Sequence, residues 1–211
     1  PVSVGTVVSA AELIESLENA VEAAHVTSGY RAIDRITGGL TNGQMTLIGA
    51  RTDRGKTALM ACMCWRSAVE GVPSLYIPLE GSREEIAHRM AAAAYGISQS
   101  YARNRGWGDY SPEGYRAAWK RLAELPIYWP DAGRTPRTVD QIVAAAALAQ
   151  RRYGIRVVYL DHIDALPIER EHRNQSDASV MAMVMRELQG LVARTGLHVV
   201  TGSQVNREAD N

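Results

Sequence analysis

Short apolar runs alternate along the chain with longer segments in which apolar residues recur at helical spacing. The apolar runs predict strands over 45–49, 74–80, 126–129, 155–161 and 197–203. The segments between them predict helices over 58–65, 82–95, 112–124, 137–153 and 177–195. The run 155–161 is almost continuously apolar, which is typical of a strand covered on both faces. Strands that alternate with helices indicate an α/β fold: a doubly wound, mostly parallel sheet with helices on both faces.

An acidic amphipathic helix is predicted over residues 9–24, ahead of the first of these strands. Its larger apolar residues recur at helical spacing: Leu13, Ile14, Leu17 and Val21. Ser9 and Glu12 have the spacing of a capping box, in which each side chain hydrogen-bonds to the backbone N–H of the other residue. We expect this helix to pack either on its own domain or on a neighbouring subunit.

The segment 50–57 directly follows the first predicted strand and leads into a helix. Its sequence, Ala-Arg-Thr-Asp-Arg-Gly-Lys-Thr, matches a phosphate-binding loop, except that Ala50 stands where the pattern has its first glycine. In such a loop, backbone N–H groups at the helix N-terminus bind phosphate, Lys56 neutralises the β- and γ-phosphate oxygens, and the Thr57 hydroxyl ligates Mg²⁺. We therefore predict a nucleotide-binding loop made of Ala50, Arg51, Thr52, Asp53, Arg54, Gly55, Lys56 and Thr57.

Composition sharpens this prediction and narrows the function. Of the 23 Lys and Arg residues only Lys56 and Lys120 are lysines, so the lysine in the loop is itself informative. The formal net charge is zero, so any DNA contact must come from local arginine clusters rather than from a global field. Cys62 and Cys64 face away from each other on a predicted helix, which argues against a disulfide or a shared metal site. The sequence has neither a signal-peptide pattern nor a long uncharged apolar run, so we expect a soluble cytoplasmic protein that does not enter a membrane.

Polar residues close three of the predicted strands: Glu80, Asp161 and Gln204. Because the carboxyl ends of parallel strands meet at one edge of a sheet, we expect these side chains near the phosphate-binding loop. Asp161 could hold Mg²⁺ through water beside Thr57, and Glu80 could orient or deprotonate the water that attacks the γ-phosphate. Gln204 could report the γ-phosphate to an adjacent loop. Each residue could instead be a cap or a surface group, and its pattern alone leaves both interpretations open.

The acidic residues of the same region also allow a different chemistry. Asp161 and Asp164, with Glu80 nearby, could hold the two Mg²⁺ ions of a nuclease that cleaves single-stranded or branched DNA. Asp164 could equally be the cap of a helix or turn.

Several motifs, in one order, resemble the DnaB-type replicative helicases of the RecA-like superfamily over residues 26–208. The matching stretches are 27–40, 50–57, Leu79–Glu80, 158–166 and 203–207. That family commonly has Ala-Arg-Pro before its own loop, so Ala50 fits the resemblance. The resemblance implies a RecA-like fold, ATP and Mg²⁺ as cofactors, and a catalytic set of Lys56, Glu80 and Gln204. Within it, Lys56 and Thr57 bind ATP–Mg²⁺, Glu80 is the catalytic carboxylate, Asp161 is the metal-linked acid and Gln204 is the sensor.

The resemblance also suggests where nucleic acid is contacted. The segment between the predicted strand 155–161 and the next helix lies where the family has a loop facing a central channel. Three of its residues could contact phosphates of single-stranded DNA: Arg170, Arg173 and Asn174. A second group could add charge and stacking on a base: Arg103, Arg105 and Trp107. Both segments could equally be solvated loops.

The same resemblance divides the chain into an N-terminal linker-type helix, residues 1–26, and a RecA-like core, residues 27–211. A family helicase has a helical domain before the linker. It also has further strands after the Gln204 motif, with a basic segment that supplies an arginine finger to the next subunit. We expect a truncated or minimal member that lacks both parts and hydrolyses ATP slowly.

Three hypotheses for function follow. The first is an ATP-dependent motor acting on single-stranded or forked DNA, assembled as a homo-oligomer such as a hexameric ring, in a bacterial or phage-infected cell. The second is a RecA-like recombination or loading factor that uses ATP to govern assembly on DNA without unwinding it. The third is the metal-dependent nuclease.

Overall fold

Five parallel strands form the central sheet of the computed structural model, which describes residues 9–20, 25–96, 112–166 and 177–204. In chain order the strands are β1 His25–Val26, β2 Leu40–Thr41, β3 Met45–Ala50, β4 Ser74–Pro78, β5 Ile127–Tyr128, β6 Val157–Asp161 and β7 His198–Gln204. The order across the central sheet is β3-β7-β6-β4-β5, and each neighbouring pair is parallel. β1 and β2 pair with each other in an antiparallel arrangement. The predicted α/β fold with a parallel sheet is confirmed.

Helices occupy the segments between the strands, close to their predicted positions. They are α1 Ala10–Ala20, α2 Arg31–Thr37, α3 Lys56–Val69, α4 Arg83–Tyr95, α5 Pro112–Glu124, α6 Val139–Tyr153 and α7 Asp177–Thr195, with a 3₁₀ turn at Ile163–Ala165. Two strand ends differ from the prediction in a way that matters for function. β4 stops at Pro78, so Glu80 lies beyond the strand, whereas β7 continues through Gln204. Residues 21–24 of the predicted N-terminal helix lie outside the described residues.

Side-chain hydrogen bonds explain where three of the helices begin. Ser9 and Glu12 form the predicted capping box at α1, since the Ser9 N–H donates to Glu12 Oε2 at 2.7 Å and the Glu12 N–H donates to Ser9 Oγ at 3.2 Å. Ser82 and Thr138 begin α4 and α6 by accepting the backbone N–H three residues further on. At the other end of α6, Gly154 adopts the left-handed conformation that closes many helices.

The two faces of the sheet carry different residues. The aliphatic face consists of Leu75, Ile77, Val158, Leu160 and Val199, and residues of α6 and α7 pack on it. The tyrosine face consists of Tyr76, Val157, Tyr159 and Val200, and residues of α3 and α4 pack on it. All nine side chains are buried, and each fully buried large apolar side chain contributes roughly 1.5–3 kcal/mol to folding. The helices on both faces were predicted from the apolar run 155–161.

Two expectations from composition can be compared with the structure. Cys62 and Cys64 are both free thiols, and burial raises the pKa of the Cys64 thiol above its ordinary value. Within the described ranges, no helix combines the length and apolar character that a bilayer-spanning segment needs.

Candidate functional site

A cavity of about 250 Å³ opens at the carboxyl edge of the sheet, where β3, β4, β6 and β7 end. Its lining combines residues of the phosphate-loop segment with side chains at or just after the ends of three other strands. The lining residues are Thr52, Asp53, Arg54, Gly55, Lys56, Thr57, Ala58, Glu80, Arg89, His162 and Gln204. Residues far apart in sequence therefore meet at the edge where parallel α/β sheets bind ligands.

The loop leaves the N-terminus of α3 open toward this cavity. Gly55 is the residue before the helix, with φ of 86°, and it has no side chain with which to cap the first turn. The corresponding residues of α4 and α6, Ser82 and Thr138, do cap theirs. Asp53 also has positive φ, 58°, which Asp tolerates better than most residues. Uncapped N–H groups at a helix start suit an anion such as phosphate.

Lys56 is almost fully buried between the loop and β7. Its Nζ donates a hydrogen bond to the Ala50 carbonyl oxygen at 3.0 Å. Its aliphatic chain passes over Gly202, where an added Cβ would lie only 3.4 Å from the Lys56 Cδ and 3.3 Å from the His162 Cβ. The small residue in β7 therefore makes room for the lysine, and an ammonium group is held at the cavity wall next to the loop.

Asp161 lies next to the cavity and is hydrogen-bonded to Thr57, which lines it. The Thr57 hydroxyl donates to Asp161 Oδ1 at 3.1 Å, and the Tyr76 hydroxyl donates to Asp161 Oδ2 at 2.8 Å. Asp161 is 1% exposed, and burial raises the pKa of its carboxyl above the ordinary value, while the hydrogen bonds from Tyr76 and Thr57 act in the opposite direction. A hydroxyl and a carboxylate oxygen side by side are the ligand types that Mg²⁺ prefers, so these two residues fit a magnesium ion that also binds phosphate.

Glu80 lies at the mouth of the cavity and is open to solvent. Its side chain is 71% exposed, and its Oε2 lies 3.3 Å from Nδ1 of the buried His162. The segment after β4 is hydrogen-bonded to the end of β6 here, because the N–H groups of Leu79 and Glu80 both point to the Asp161 carbonyl oxygen, at 2.7 and 3.3 Å. The carboxylate is therefore open to water, and the backbone that carries it is hydrogen-bonded to the Asp161 carbonyl oxygen.

Gln204 closes the opposite side of the cavity at the end of β7. It is the register partner of Ala50, and its side-chain oxygen lies 3.4 Å from the Thr52 hydroxyl. Its backbone N–H donates to Asp164 Oδ2 at 2.7 Å, and the Ser203 hydroxyl donates to Asp164 Oδ1 at 3.1 Å. The amide of the predicted sensor is thus beside the loop that would hold the phosphates.

Asp164 is not among the residues that line the cavity, and both of its carboxylate oxygens accept hydrogen bonds from the end of β7 rather than from Thr57. Across the described ranges, no group of three or more His, Cys, Asp or Glu residues is arranged to hold a metal ion. The geometry thus gives no support to Asp164 as a metal ligand or to the carboxylate cluster of a two-metal nuclease.

Three lining residues, Ala58, Arg89 and His162, are not among the residues predicted from the sequence, and two of them carry polar side chains. Arg89 comes from α4, and burial raises the pKa of Asp161 while the positive charges of Arg89 and a protonated His162 oppose that rise. His162 follows the strand-end acid directly, so its position was readable, but nothing local indicates that it turns inward. Arg89 lies on a helix with no motif around it, and only the packing of α4 on the tyrosine face brings it to the cavity.

The predicted DNA-contacting residues cannot be compared with this site. Six of them lie outside the described residues: Arg103, Arg105, Trp107, Arg170, Arg173 and Asn174. Their roles stay predictions.

The fold and the cavity together define a RecA-like α/β domain with a phosphate-binding-loop sequence at the carboxyl edge of its sheet. The model of the DnaB-like helicase C-terminal domain family matches residues 25–211, and the chain belongs to this family. The resemblance seen in the sequence motifs is thereby confirmed.

The curated relatives that the chain resembles are named as replicative DNA helicases. It is 27% identical over 188 residues to the replicative DNA helicase DnaB of Leifsonia xyli subsp. xyli, an alignment that covers 86% of this chain and 39% of that protein. It is 26% identical over 208 residues to the DnaB of Treponema pallidum, covering 94% of this chain and 46% of that protein. The chain thus spans less than half the length of these relatives.

Solved structures support the same fold. One of them, the structure of an ATPase domain, superposes with a TM-score of 0.82 at 20% identity, covering 97% of this chain and 74% of that one. A DnaB-like replicative helicase, described with its interactions with primase, gives 0.81 at 21% identity, covering 96% and 51%. At this level of identity the likeness establishes the RecA-like architecture.

Proposed function

We propose that this chain binds ATP with Mg²⁺ and hydrolyses it, as the ATPase core of a helicase that acts on single-stranded or forked DNA. The observation that carries the proposal is that Lys56, Thr57, Glu80 and Gln204 line one cavity, while Asp161 accepts a hydrogen bond from the Thr57 hydroxyl. These residues belong to the start of α3 or lie at or just after the ends of β4, β6 and β7, which are distant in sequence. Their convergence supports the roles that the family resemblance implies for them.

The loop would hold the phosphates of the nucleotide. The open N-terminus of α3 offers backbone N–H groups, and the Lys56 ammonium would exchange the Ala50 carbonyl for phosphate oxygens. Arg54 and Arg89 add positive charge to the same wall. Arg54 could also stand in part for the arginine finger that the family takes from a neighbouring subunit.

Thr57 and Asp161 would hold the metal ion, Thr57 directly and Asp161 through water. A magnesium ion held by these residues would neutralise the negative charge of the phosphates during hydrolysis. Thr57 would release its hydrogen bond to Asp161 Oδ1 in order to turn its hydroxyl oxygen to the ion.

Glu80 would act on the attacking water. Its exposed carboxylate can accept a proton from a water molecule as that water attacks the γ-phosphorus and the bond to the β-phosphate oxygen breaks. Gln204, beside Thr52, would sense whether the γ-phosphate is present and pass this to the chain that follows β7.

Assembly and DNA contact complete the proposal. Leu13 and Ile14 of α1 are 50% and 55% exposed, so the helix within the linker segment, residues 1–26, has apolar surface for a neighbouring copy of the core, residues 27–211. We propose a homo-oligomer, such as a hexameric ring, in which Arg170, Arg173 and Asn174 contact single-stranded DNA. A RecA-like assembly factor that does not unwind DNA would use the same nucleotide site and is the second candidate.

The test combines ATP hydrolysis with a forked DNA substrate. We expect Mg²⁺-dependent ATP hydrolysis that falls by roughly 100-fold or more in Lys56→Ala, because the phosphate charge loses its fixed cation. The matched control is Lys120→Ala, which removes the only other lysine, an exposed residue of α5, and should leave hydrolysis unchanged. Hydrolysis is measured as phosphate release, and unwinding as displacement of a labelled strand.

The possible outcomes separate the hypotheses. ATP-dependent strand displacement supports the motor, whereas DNA binding without displacement favours the assembly factor. Cleavage of the DNA that needs metal but ignores ATP would favour a nuclease after all. Equal ATP turnover in Lys56→Ala and the unsubstituted protein would contradict the proposed nucleotide site.

A further inference from the structure

Tyr76 is a buried residue of the tyrosine face whose hydroxyl reaches the candidate site from behind. It is 0% exposed, and its hydroxyl donates to Asp161 Oδ2 at 2.8 Å. Its ring is held on both sides, stacked on Tyr159 with centroids 5.9 Å apart and tilted against Trp129 at 5.4 Å. The hydroxyl therefore has little freedom to leave the carboxylate.

This hydrogen bond gives the two carboxylate oxygens of Asp161 different surroundings. Oδ2 is held by Tyr76 within the core, while Oδ1 faces Thr57 at the cavity. A carboxylate is planar, so holding one oxygen fixes the direction of the other. Without the tyrosine hydroxyl the carboxylate could rotate, and Oδ2 would be buried without this donor.

We infer that Tyr76 is a positioning residue for the metal site: it orients Asp161 so that Oδ1 is presented to the magnesium ion beside Thr57. This inference rests on the proposed function, since it concerns the same nucleotide site. Tyr76 touches neither nucleotide nor ion and acts only through Asp161.

Tyr159 provides a matched control on the neighbouring strand. It is also fully buried and belongs to the same ring stack, but its hydroxyl lies 3.3 Å from Ser67 Oγ rather than beside Asp161. Removing either hydroxyl leaves the rings in place. Only the removal at Tyr76 changes the contacts of Asp161.

The experiment measures nucleotide affinity with and without metal in the full chain. A fluorescent ADP analogue is titrated into the unsubstituted protein, Tyr76→Phe and Tyr159→Phe, once in excess Mg²⁺ and once in EDTA. We expect Tyr76→Phe to weaken binding about tenfold in Mg²⁺ and to leave binding in EDTA unchanged, since a hydrogen bond to a charged group is lost only from the metal side of the site. Tyr159→Phe should match the unsubstituted protein in both conditions. A titration of Mn²⁺ into the ADP complexes, followed by electron paramagnetic resonance, should show the same tenfold loss of metal affinity.

Three results would contradict the inference about Tyr76, and they differ in what they mean for the proposed function. Equal weakening in Mg²⁺ and EDTA would mean that Tyr76 only supports the fold, and would overturn the inference. An unchanged Mg²⁺ affinity in Tyr76→Phe, with a clear Mg²⁺ effect in the unsubstituted protein, would also overturn it while leaving the proposed function intact. If the unsubstituted protein itself binds the analogue no better in Mg²⁺ than in EDTA, the magnesium site fails, and the inference fails with it.

Discussion

The two faces of the central sheet are equally buried but differ in what they bury. The aliphatic side chains of one face pack against apolar residues of α6 and α7. The buried hydroxyl on this face, that of Thr201, donates to the Leu160 carbonyl oxygen of the neighbouring strand at 2.8 Å. The tyrosine face instead buries a tyrosine pair and a histidine, each hydrogen-bonded to a specific partner. Buried polar groups cost stability unless they are paired. We therefore infer that the tyrosine face serves a function besides folding.

The candidate site lies at the carboxyl end of the same face. Side chains alternate along a strand, so Asp161 points to the same side as Tyr159, and Gln204 to the same side as Val200. α3, which begins at Lys56, covers this face. The face that carries the polar groups is therefore the one that ends in the candidate site, and the aliphatic face serves stability.

The largest expected effect tests the aliphatic face. Leu188→Ala in α7 removes a side chain that is 0% exposed and should lower the free energy of unfolding by about 3 kcal/mol, through lost burial and the cavity left behind. The matched control is Leu148→Ala in α6, on the same side of the sheet, whose side chain is 56% exposed and which should change stability by less than about 0.5 kcal/mol. Urea unfolding measures both. Equal effects of the two substitutions would contradict the proposed division of the faces.

The next effect should have the opposite sign and belongs to the tyrosine face. Asp161→Asn removes a buried charge whose pKa is raised by burial, and the amide oxygen can still accept a hydrogen bond from Tyr76. In EDTA at neutral pH, we expect the free energy of unfolding to rise by about 1 kcal/mol, while Mg²⁺-dependent ATP hydrolysis is lost. Asp131→Asn, at an exposed carboxylate, should do neither. A clear loss of stability in Asp161→Asn would mean that the buried carboxylate supports the fold rather than the site.

The smallest effect concerns pH and the histidine of the tyrosine face. His198 Nδ1 donates to the Thr41 carbonyl oxygen at 2.6 Å, and its Nε2 accepts from the Thr46 hydroxyl at 2.9 Å. Burial lowers the pKa of His198, and the hydrogen bond to Thr41 opposes this in part. The unfolded chain therefore takes up the proton first, so this residue's stabilisation is present above about pH 6.5 and is lost as the pH falls from there through the folded pKa.

His198→Asn should remove that pH dependence. Its side-chain amide can donate to Thr41 but does not titrate. We expect the free energy of unfolding, measured in urea at several pH values between about 7 and 5, to fall less in the variant than in the unsubstituted protein. Parallel pH curves for the two proteins would mean that the pKa of His198 is the same in the folded and unfolded chains, contrary to this account.

Much of the fold and part of the site were readable from local patterns. The phosphate-loop segment was recognisable because strand, loop and helix are consecutive in sequence, and the structure places Met45–Ala50 and Lys56–Val69 on either side of it. Glu80 was placed at a strand end, but Pro78 ends β4 two residues earlier, because the register with β6 stops at the Pro78–Asp161 pair. The metal role of Asp164 stays a prediction, drawn from its nearness in sequence to Asp161 with Glu80 nearby, and no local pattern reveals that its carboxylate accepts hydrogen bonds from the end of β7.

The alternation of strands and helices, the nucleotide-loop motif and the membership in a helicase family could be read from the sequence alone, because each depends on residues near one another in the chain. Which residues share the cavity depends instead on the tertiary structure. The strand order β3-β7-β6-β4-β5 brings Lys56, Glu80 and Gln204 together, and the packing of α4 adds Arg89. It also placed the Tyr76 hydroxyl on Asp161, a contact between residues on neighbouring strands that no local pattern encodes. Such contacts depend on strand order and register, which the whole core selects by burying its apolar side chains together.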